Sequence, residues 1–182
     1  MADPEYALIR AIAEGDHQAF ERLVKRYQNP LCNFVYRYVG DRGTAEDITQ
    51  EVFMRVYRSA SRFFPKARVS SWLFKIALNL SLNELKRRQR QRLDEMVVHD
   101  EQGYRSADAA SLPATPGHAS EEEIMATLDK LSGKQRAALL LRVNEGLSYR
   151  EIGETLGLSV QSVEALIFRA RRQLRASMRR KG

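Results

Sequence analysis

Residues 147–175 read LSYREIGETLGLSVQSVEALIFRARRQLR, the spacing of two short helices that cross at a tight turn and offer the second to a DNA groove. Ser148 caps the first helix with Glu151 reciprocating three residues on, Gly157 supplies a left-handed stop, and Ser159 caps the second helix. Ile152, Leu156, Leu158, Val163 and Leu166 recur where the helices must face each other, and Gly153 is small where the backbones approach. Gln161, Ser162, Glu164, Ala165, Phe168 and Arg169 are left pointing outward, followed by Arg171, Arg172 and Arg175. These side chains are candidates for base edges and phosphates. A helical hairpin buried in a core is the alternative, but it has no use for so many arginines trailing one helix. The segment predicts a DNA-binding helix-turn-helix.

Working outward, a preceding helix opens on the capping box Ser120 and Glu123, runs through Ile124, Leu128 and Leu131, and restarts at Ser132. From Leu93 to Ser120 periodicity disappears, and Gly103, Pro113, Pro116 and Gly117 mark a flexible, acidic linker. The expected division is a domain over 1–92, a linker over 93–119 and a second domain over 120–182. Charge follows the same division. Residues 1–93 carry about +7, residues 94–123 about −7 and residues 124–182 about +7. Two basic bodies flanking an acidic strap are the footprint of a polyanion partner, since each neutralised phosphate releases counterions.

In the first domain, Asp3 and Pro4 open a helix that stops at Gly15, and Asp16 opens a second through Ala19, Phe20, Leu23, Val24 and Tyr27. Pro30 starts a third through Leu31, Phe34, Val35 and Tyr38, ending at Gly40. Thr44 caps a fourth, AEDITQEVFMRVYRSA, with the stripe Ile48, Val52, Phe53 and Val56. The loop RFFPKARVSS follows, and Ser70 or Ser71 caps a fifth helix, WLFKIALNLSLNELKRRQRQR, interrupted near Asn79 to Asn83. With no strand-like alternation of useful length, the expected fold is all-α: two small helical domains joined by the linker.

Two constellations in this domain carry chemistry. The fourth helix displays Glu46, Asp47, Gln50 and Glu51, with Asp47 and Glu51 four residues apart on one face. A metal or acid/base site, a solvated helix face and a docking surface for a basic partner are all open readings. His17, His99 and His118 are scattered, which argues against metal. The second constellation is Phe63, Phe64, Trp72, Phe74 and Lys75, then Asn79, Ser81 and Asn83, then Lys86, Arg87, Arg88, Arg90 and Arg92. Aromatics beside a basic helix suit single-stranded nucleic acid, with rings for stacking, cations for phosphates and polar groups for an extruded base. Phe74 and one of Phe63 or Phe64 are expected in the core. Asn79, Ser81 and Asn83 in close succession, disfavoured inside helices, suggest a loop with a role in binding.

The single cysteine, Cys32, excludes an intramolecular disulfide and suits a reducing compartment. No signal pattern or membrane-length apolar run is present, so a cytoplasmic protein is expected. There is no nucleophile elbow, phosphate-cradling glycine loop or zinc-ligand spacing. The expectation is a non-enzyme with no cofactor, no metal and no small-molecule substrate.

AEDITQEVFMRVYRS, WLFKIALNLSLNELKRR and LSYREIGETLGLSVQSVEALIFRARRQL, in that order, resemble a bacterial RNA polymerase sigma factor of the extracytoplasmic-function group. The resemblance covers nearly all of the chain outside the linker. It implies that the acidic helix docks on RNA polymerase core through Asp47, Gln50 and Glu51. It also implies that the promoter's −10 element is held by Trp72, Lys75, Asn79, Ser81, Asn83, Lys86, Arg87 and Arg88, with a flipped base received at Asn79 and the loop after it. The −35 element would be read in duplex DNA by Gln161, Ser162, Glu164, Ala165, Phe168, Arg169, Arg171 and Arg172. The linker would thread near the active-site and RNA-exit path. Family members are usually restrained by an anti-sigma factor, often membrane-anchored, so such a partner and a membrane-held pool are expected. Glu164 and Leu166 depart from the family, standing where basic or small polar residues are common, which puts the −35 preference in question. The rival reading is a stand-alone helix-turn-helix regulator that grips duplex DNA as a dimer. It accounts for the C-terminal domain but leaves the Trp72 to Arg92 arrangement without a purpose.

Overall fold

The computed structural model describes residues 5–63, 68–98 and 121–179, and among them all regular structure is helical. Helices α1 (Tyr6–Ala13), α2 (His17–Val39), α3 (Arg42–Ser59) and α4 (Val69–Val98), with a 3-10 turn at Ala60–Arg62, form one unit. Helices α5 (Glu121–Leu128), α6 (Gly133–Val143), α7 (Tyr149–Leu156) and α8 (Val160–Arg179) form the other. Asp3, Pro4, Phe64, His99, His118, Ser120 and the linker from residue 99 onward lie outside the described residues.

Local chemistry sets most helix ends. The Asp16 carboxylate accepts from the backbone N–H groups of Gln18 and Ala19 at 2.8 and 3.0 Å and so starts α2. Gly40, at φ +80°, ends it in the left-handed region, donating to Tyr36 O at 2.8 Å. The start of α1 is tied down from a distance: buried Glu5 accepts from Tyr27 Oη at 2.5 Å and pairs with Arg26 Nε at 2.7 Å.

Pro30 does not begin a helix of its own, because α2 runs straight through it. Proline in a helix interior costs about 3 kcal/mol. Tyr27, Leu31, Phe34 and Tyr38 form an unbroken buried stripe across it, and each large apolar side chain contributes about 1.5–3 kcal/mol on burial. Burial on both sides outweighs the lost hydrogen bond. Thr44 is not the cap of α3 either. Asp41 takes that place, accepting from Thr44 N at 2.8 Å. Similarly, α4 starts at Val69, ahead of Ser70 and Ser71, and Leu93–Val98 continue it beyond the expected start of the linker.

The buried side chains form one cluster, to which the first unit contributes Ile9, Leu23, Leu31, Val52, Leu73 and Phe34, whose ring meets Phe74 edge-on at 5.3 Å. The second unit contributes Leu141, Ile152, Val163 and Ile167. The two units touch through α2 against α6 and α4 against α7, and the side-chain bonds across this seam are polar. Arg136 Nη1 donates to Tyr38 O at 3.0 Å, Arg37 Nη1 to Asn144 Oδ1 at 2.9 Å, and Arg68 pairs with Glu151 at 2.9 Å.

Candidate nucleic-acid interface

The C-terminal pair, α7 and α8, forms around the predicted turn. Ser148 N donates to Glu151 Oε2 at 2.7 Å while Glu151 N donates to Ser148 Oγ at 3.3 Å, completing the capping box. Gly157 adopts φ +66°, and Ser159 Oγ accepts from Ser162 N at 3.2 Å. A Cβ on Gly153 would stand 2.6 Å from the Leu158 carbonyl oxygen, so only glycine lets the turn pass this close. Ile152 and Val163 are buried between the helices, and Leu156, Leu158 and Leu166 are half-buried. Ile167 and Ala170 complete the buried side of α8 and were not among the expected facing residues. Their signal was present in the sequence, since they continue the Val163 stripe at i+4 and i+7.

At about 100° per residue, the opposite side of α8 presents Gln161, Ala165, Phe168 and Arg172 along its centre. Ser162 and Arg169 lie on one edge, and Glu164 and Arg171 on the other. All eight are exposed, Phe168 the most conspicuously at 65%. Glu164 is therefore a flank residue. A carboxylate there accepts from a cytosine amino group more readily than it tolerates a phosphate.

Helix α4 carries the second face. Asn79 and Asn83 do not form a loop: the helix is continuous through them, and both are exposed one turn apart. Their polar character reflects solvent on that side, while the leucines between them pack inward. Trp72, Lys75, Asn79, Asn83, Lys86 and Arg90 share one stripe. All are exposed except Trp72, which is half-buried with its ring 4.5 Å from Phe63. Phe74 is core, as expected.

Ser81 leaves the expected DNA-facing set. It is fully buried on the opposite side, and its hydroxyl donates to Ala77 O at 2.8 Å, which satisfies the serine inside a helix. Arg88 lies on that opposite side too, half-buried. Its Nε donates to Glu84 Oε1 at 2.8 Å, and its Nη2 lies 3.5 Å from Asp41 Oδ2 and donates to Thr44 Oγ1. Arg87 is exposed but holds Glu84 through Nε and Nη2, both at 2.8 Å. Glu84 is pulled down to about 2, first by the Arg87 hydrogen bonds and then by Arg88. A carboxyl held this far below its ordinary 4.5 contributes stability that is complete above about pH 4.5 and lost as pH falls toward 2. In urea titrations Glu84→Gln is expected to lower the midpoint at pH 6, with the difference closing near pH 2. A constant difference across that window would show that ionisation of Glu84 is not what stabilises the helix pair.

The acidic face lies on α3. Asp47 and Gln50 are exposed, Glu51 is half-buried and paired with Arg55 at 2.7 Å, and Ile48, Val52, Phe53 and Val56 are buried behind them. Met54, 45% exposed, continues the Asp47, Gln50, Glu51 stripe, and Tyr57 lies at its edge. The i+3 spacing from Glu51 could have flagged Met54. Among the described residues, no three His, Cys, Asp or Glu side chains gather as a metal would require, and no helix is long and apolar enough to cross a membrane.

Comparison with known proteins matches the same two units. Residues 23–91 match the family described as Sigma-70 region 2 and residues 121–174 that described as Sigma-70, region 4. The RNA polymerase sigma-H factor of Pseudomonas aeruginosa is 32% identical over 175 residues, covering 93% of this chain and 91% of its own. The ECF RNA polymerase sigma-E factor of Haemophilus influenzae is 34% identical over 176 residues, covering 93% of each. Among solved structures, CnrH in complex with the cytosolic domain of CnrY superposes with a TM-score of 0.75 at 26% identity, covering 99% of this chain and 100% of that one. Two units, each matched to its own sigma-70 region, and relatives similar along nearly their whole length place the chain in the extracytoplasmic-function group of the sigma-70 family of RNA polymerase sigma factors.

Proposed function

We propose that this sigma factor binds RNA polymerase core through α3, receives the melted −10 strand on α4 and reads the −35 duplex with α8. The observation that carries the reading is the separation of two exposed faces onto different units: a central apolar and amide stripe edged by arginine on α8, and an asparagine and lysine stripe led by Trp72 on α4. The first suits duplex base edges. The second suits an unstacked strand, with Asn79 at its middle as the receiver of an extruded base. Capturing such a base selects the open strand by binding energy alone, and the chain acts as an initiation factor without catalysis of its own.

We keep domain two at 1–92, the linker at 93–119 and domain four at 120–182 as the proposed division, with α4 running on as helix through the first linker residues to Val98. The similarity to CnrH, which was solved bound to the cytosolic domain of CnrY, supports a comparable anti-sigma partner here, which would hold a cytoplasmic pool at the membrane if that partner is anchored. A stand-alone duplex-binding regulator is disfavoured by the α4 stripe, for which it has no substrate.

Asn79→Ala is expected to lower open-complex formation about tenfold, the range of one lost base contact, with the −35 contribution unchanged. The check is transcription from promoters altered separately in each element. Equal sensitivity at both elements would remove Asn79 from the base pocket.

On the promoter the two units must move apart. The −10 and −35 elements lie about 25 base pairs apart, or roughly 85 Å at ~3.4 Å per pair, whereas a compact chain of this length is roughly 40 Å across. The Arg68–Glu151 and Arg37–Asn144 contacts therefore break when both elements are engaged. Spin labels on exposed Gln28 and Arg150, in a chain with Cys32→Ser, should separate by tens of ångströms between the free protein and the promoter complex. An unchanged distance would mean that one unit leaves its element unread.

A further inference from the structure

Arg88 sits within the basic run of α4, yet the fold turns it away from the proposed DNA stripe and directs its donors elsewhere. Its guanidinium reaches 44 residues back along the chain to Thr44 Oγ1 and lies 3.5 Å from Asp41 Oδ2, while Nε holds Glu84 on its own helix. Asp41 and Thr44 are not arbitrary partners. Asp41 is the residue whose carboxylate caps α3, accepting from Thr44 N at 2.8 Å, and α3 is the helix that carries Asp47, Gln50 and Glu51. The Arg88 side chain is 29% exposed and that of Glu84 only 15%, whereas that of Arg87, also on Glu84, remains 60% exposed. One guanidinium thus joins the start of the acidic helix to the middle of the basic one.

We propose that Arg88 is a positioning residue rather than a phosphate contact: a strap, anchored by Glu84, that fixes the N-terminal end of α3 against α4 so that the polymerase-facing and strand-facing helices hold one geometry. A planar fork is required because the contacts fall on two separate nitrogens, Nε on Glu84 and Nη2 on Thr44 beside Asp41, whereas the three donors of a lysine ammonium all sit on one atom. A phosphate contact has no such requirement, since lysine serves it as a point charge. The proposal rests on the reading of α3 as the core-binding helix, and its test separates the two.

The experiment uses the full chain with Arg88→Ala, Arg88→Lys and, as a cation on the exposed stripe, Lys86→Ala. The readouts are amide hydrogen exchange in the free protein, affinity for polymerase core, and the salt dependence of promoter binding by the holoenzyme. The strap predicts about tenfold faster exchange over Ala45–Thr49 in both Arg88 variants, a loss on the scale of one charge-assisted hydrogen bond. It also predicts about tenfold weaker core binding and an unchanged salt slope. Lys86→Ala should leave exchange and core affinity alone and make the slope shallower by about 0.7–0.9, the value of one phosphate contact. Wild-type exchange over Ala45–Thr49 in Arg88→Ala, or a shallower slope that Arg88→Lys restores, overturns the strap. Faster exchange with unchanged core affinity upholds the strap and removes α3 from the polymerase interface instead.

Discussion

A chain carrying Asp47→Lys and Glu51→Lys is expected to lose at least about a hundredfold in affinity for RNA polymerase core, with its helix content and thermal midpoint nearly unchanged. The two sites lie on the side of α3 opposite Ile48, Val52 and Val56, so neither change enters the core. Glu51 pairs with Arg55 in an exposed i,i+4 contact, worth a few tenths of a kcal/mol. Against that small internal cost, the substitutions move the face by four charge units. An opposed pair at about 4 Å near a protein surface is worth up to ~4 kcal/mol, and about 2.7 kcal/mol already corresponds to a hundredfold in affinity. Size-exclusion or fluorescence titration with core checks the outcome, alongside circular dichroism of the free chain. Core affinity equal to wild type would remove this face from the interface.

Gly153→Val is expected to abolish −35-dependent transcription while leaving core binding through the first unit intact. The obstacle is backbone, not a side chain that can swing away: the new Cβ would lie 2.6 Å from Leu158 O and also approach Val163. Either the turn opens, and α8 loses its angle to α7, or the unit unfolds. Overpacking of this kind costs about 1–3 kcal/mol and more where the neighbour is rigid, which is a large share of what so small a unit has. Gly157→Ala is the control. Unlike Gly153, which lies within α7, Gly157 sits in the left-handed region, φ +66°, but a Cβ there meets nothing within 4 Å, so its cost is only the backbone preference of about 1–2 kcal/mol. Footprinting on the −35 duplex and thermal melting of both variants provide the check. A Gly153→Val chain that still protects the −35 element would show that the crossing angle is not what aims α8.

The contrast between the two units explains how far the sequence alone can be read. In the helix-turn-helix, each deciding interaction spans three to five residues: Ser148 with Glu151, Gly157 at the stop, Ser159 with Ser162. Such pairs are visible as spacing. Some differences are local, as where Asp41 and not Thr44 caps α3, but for Pro30, for the burial of Ser81 and for Arg88 the deciding residues lie on other helices. Pro30 reads as a helix start because the stripe holding α2 together is paired with residues of other helices. Asn79, Ser81 and Asn83 read as a loop because composition does not show that one of the three is buried and back-bonded while two face solvent. Arg88 reads as one more phosphate cation, since nothing within the run signals Thr44 and Asp41 waiting beside it. The candidate sites are legible as helix faces; which members of a basic run face outward is settled only by the fold.

Co-purification with bacterial RNA polymerase core, followed by transcription from a random promoter library with and without this chain, tests the central claim most directly. The account predicts a stable complex and new start sites whose upstream sequences share two elements, one near −10 and one near −35. A chain that leaves core unbound yet footprints a specific duplex unaided would contradict it, and would make the exposed stripe of α4 a face without a substrate.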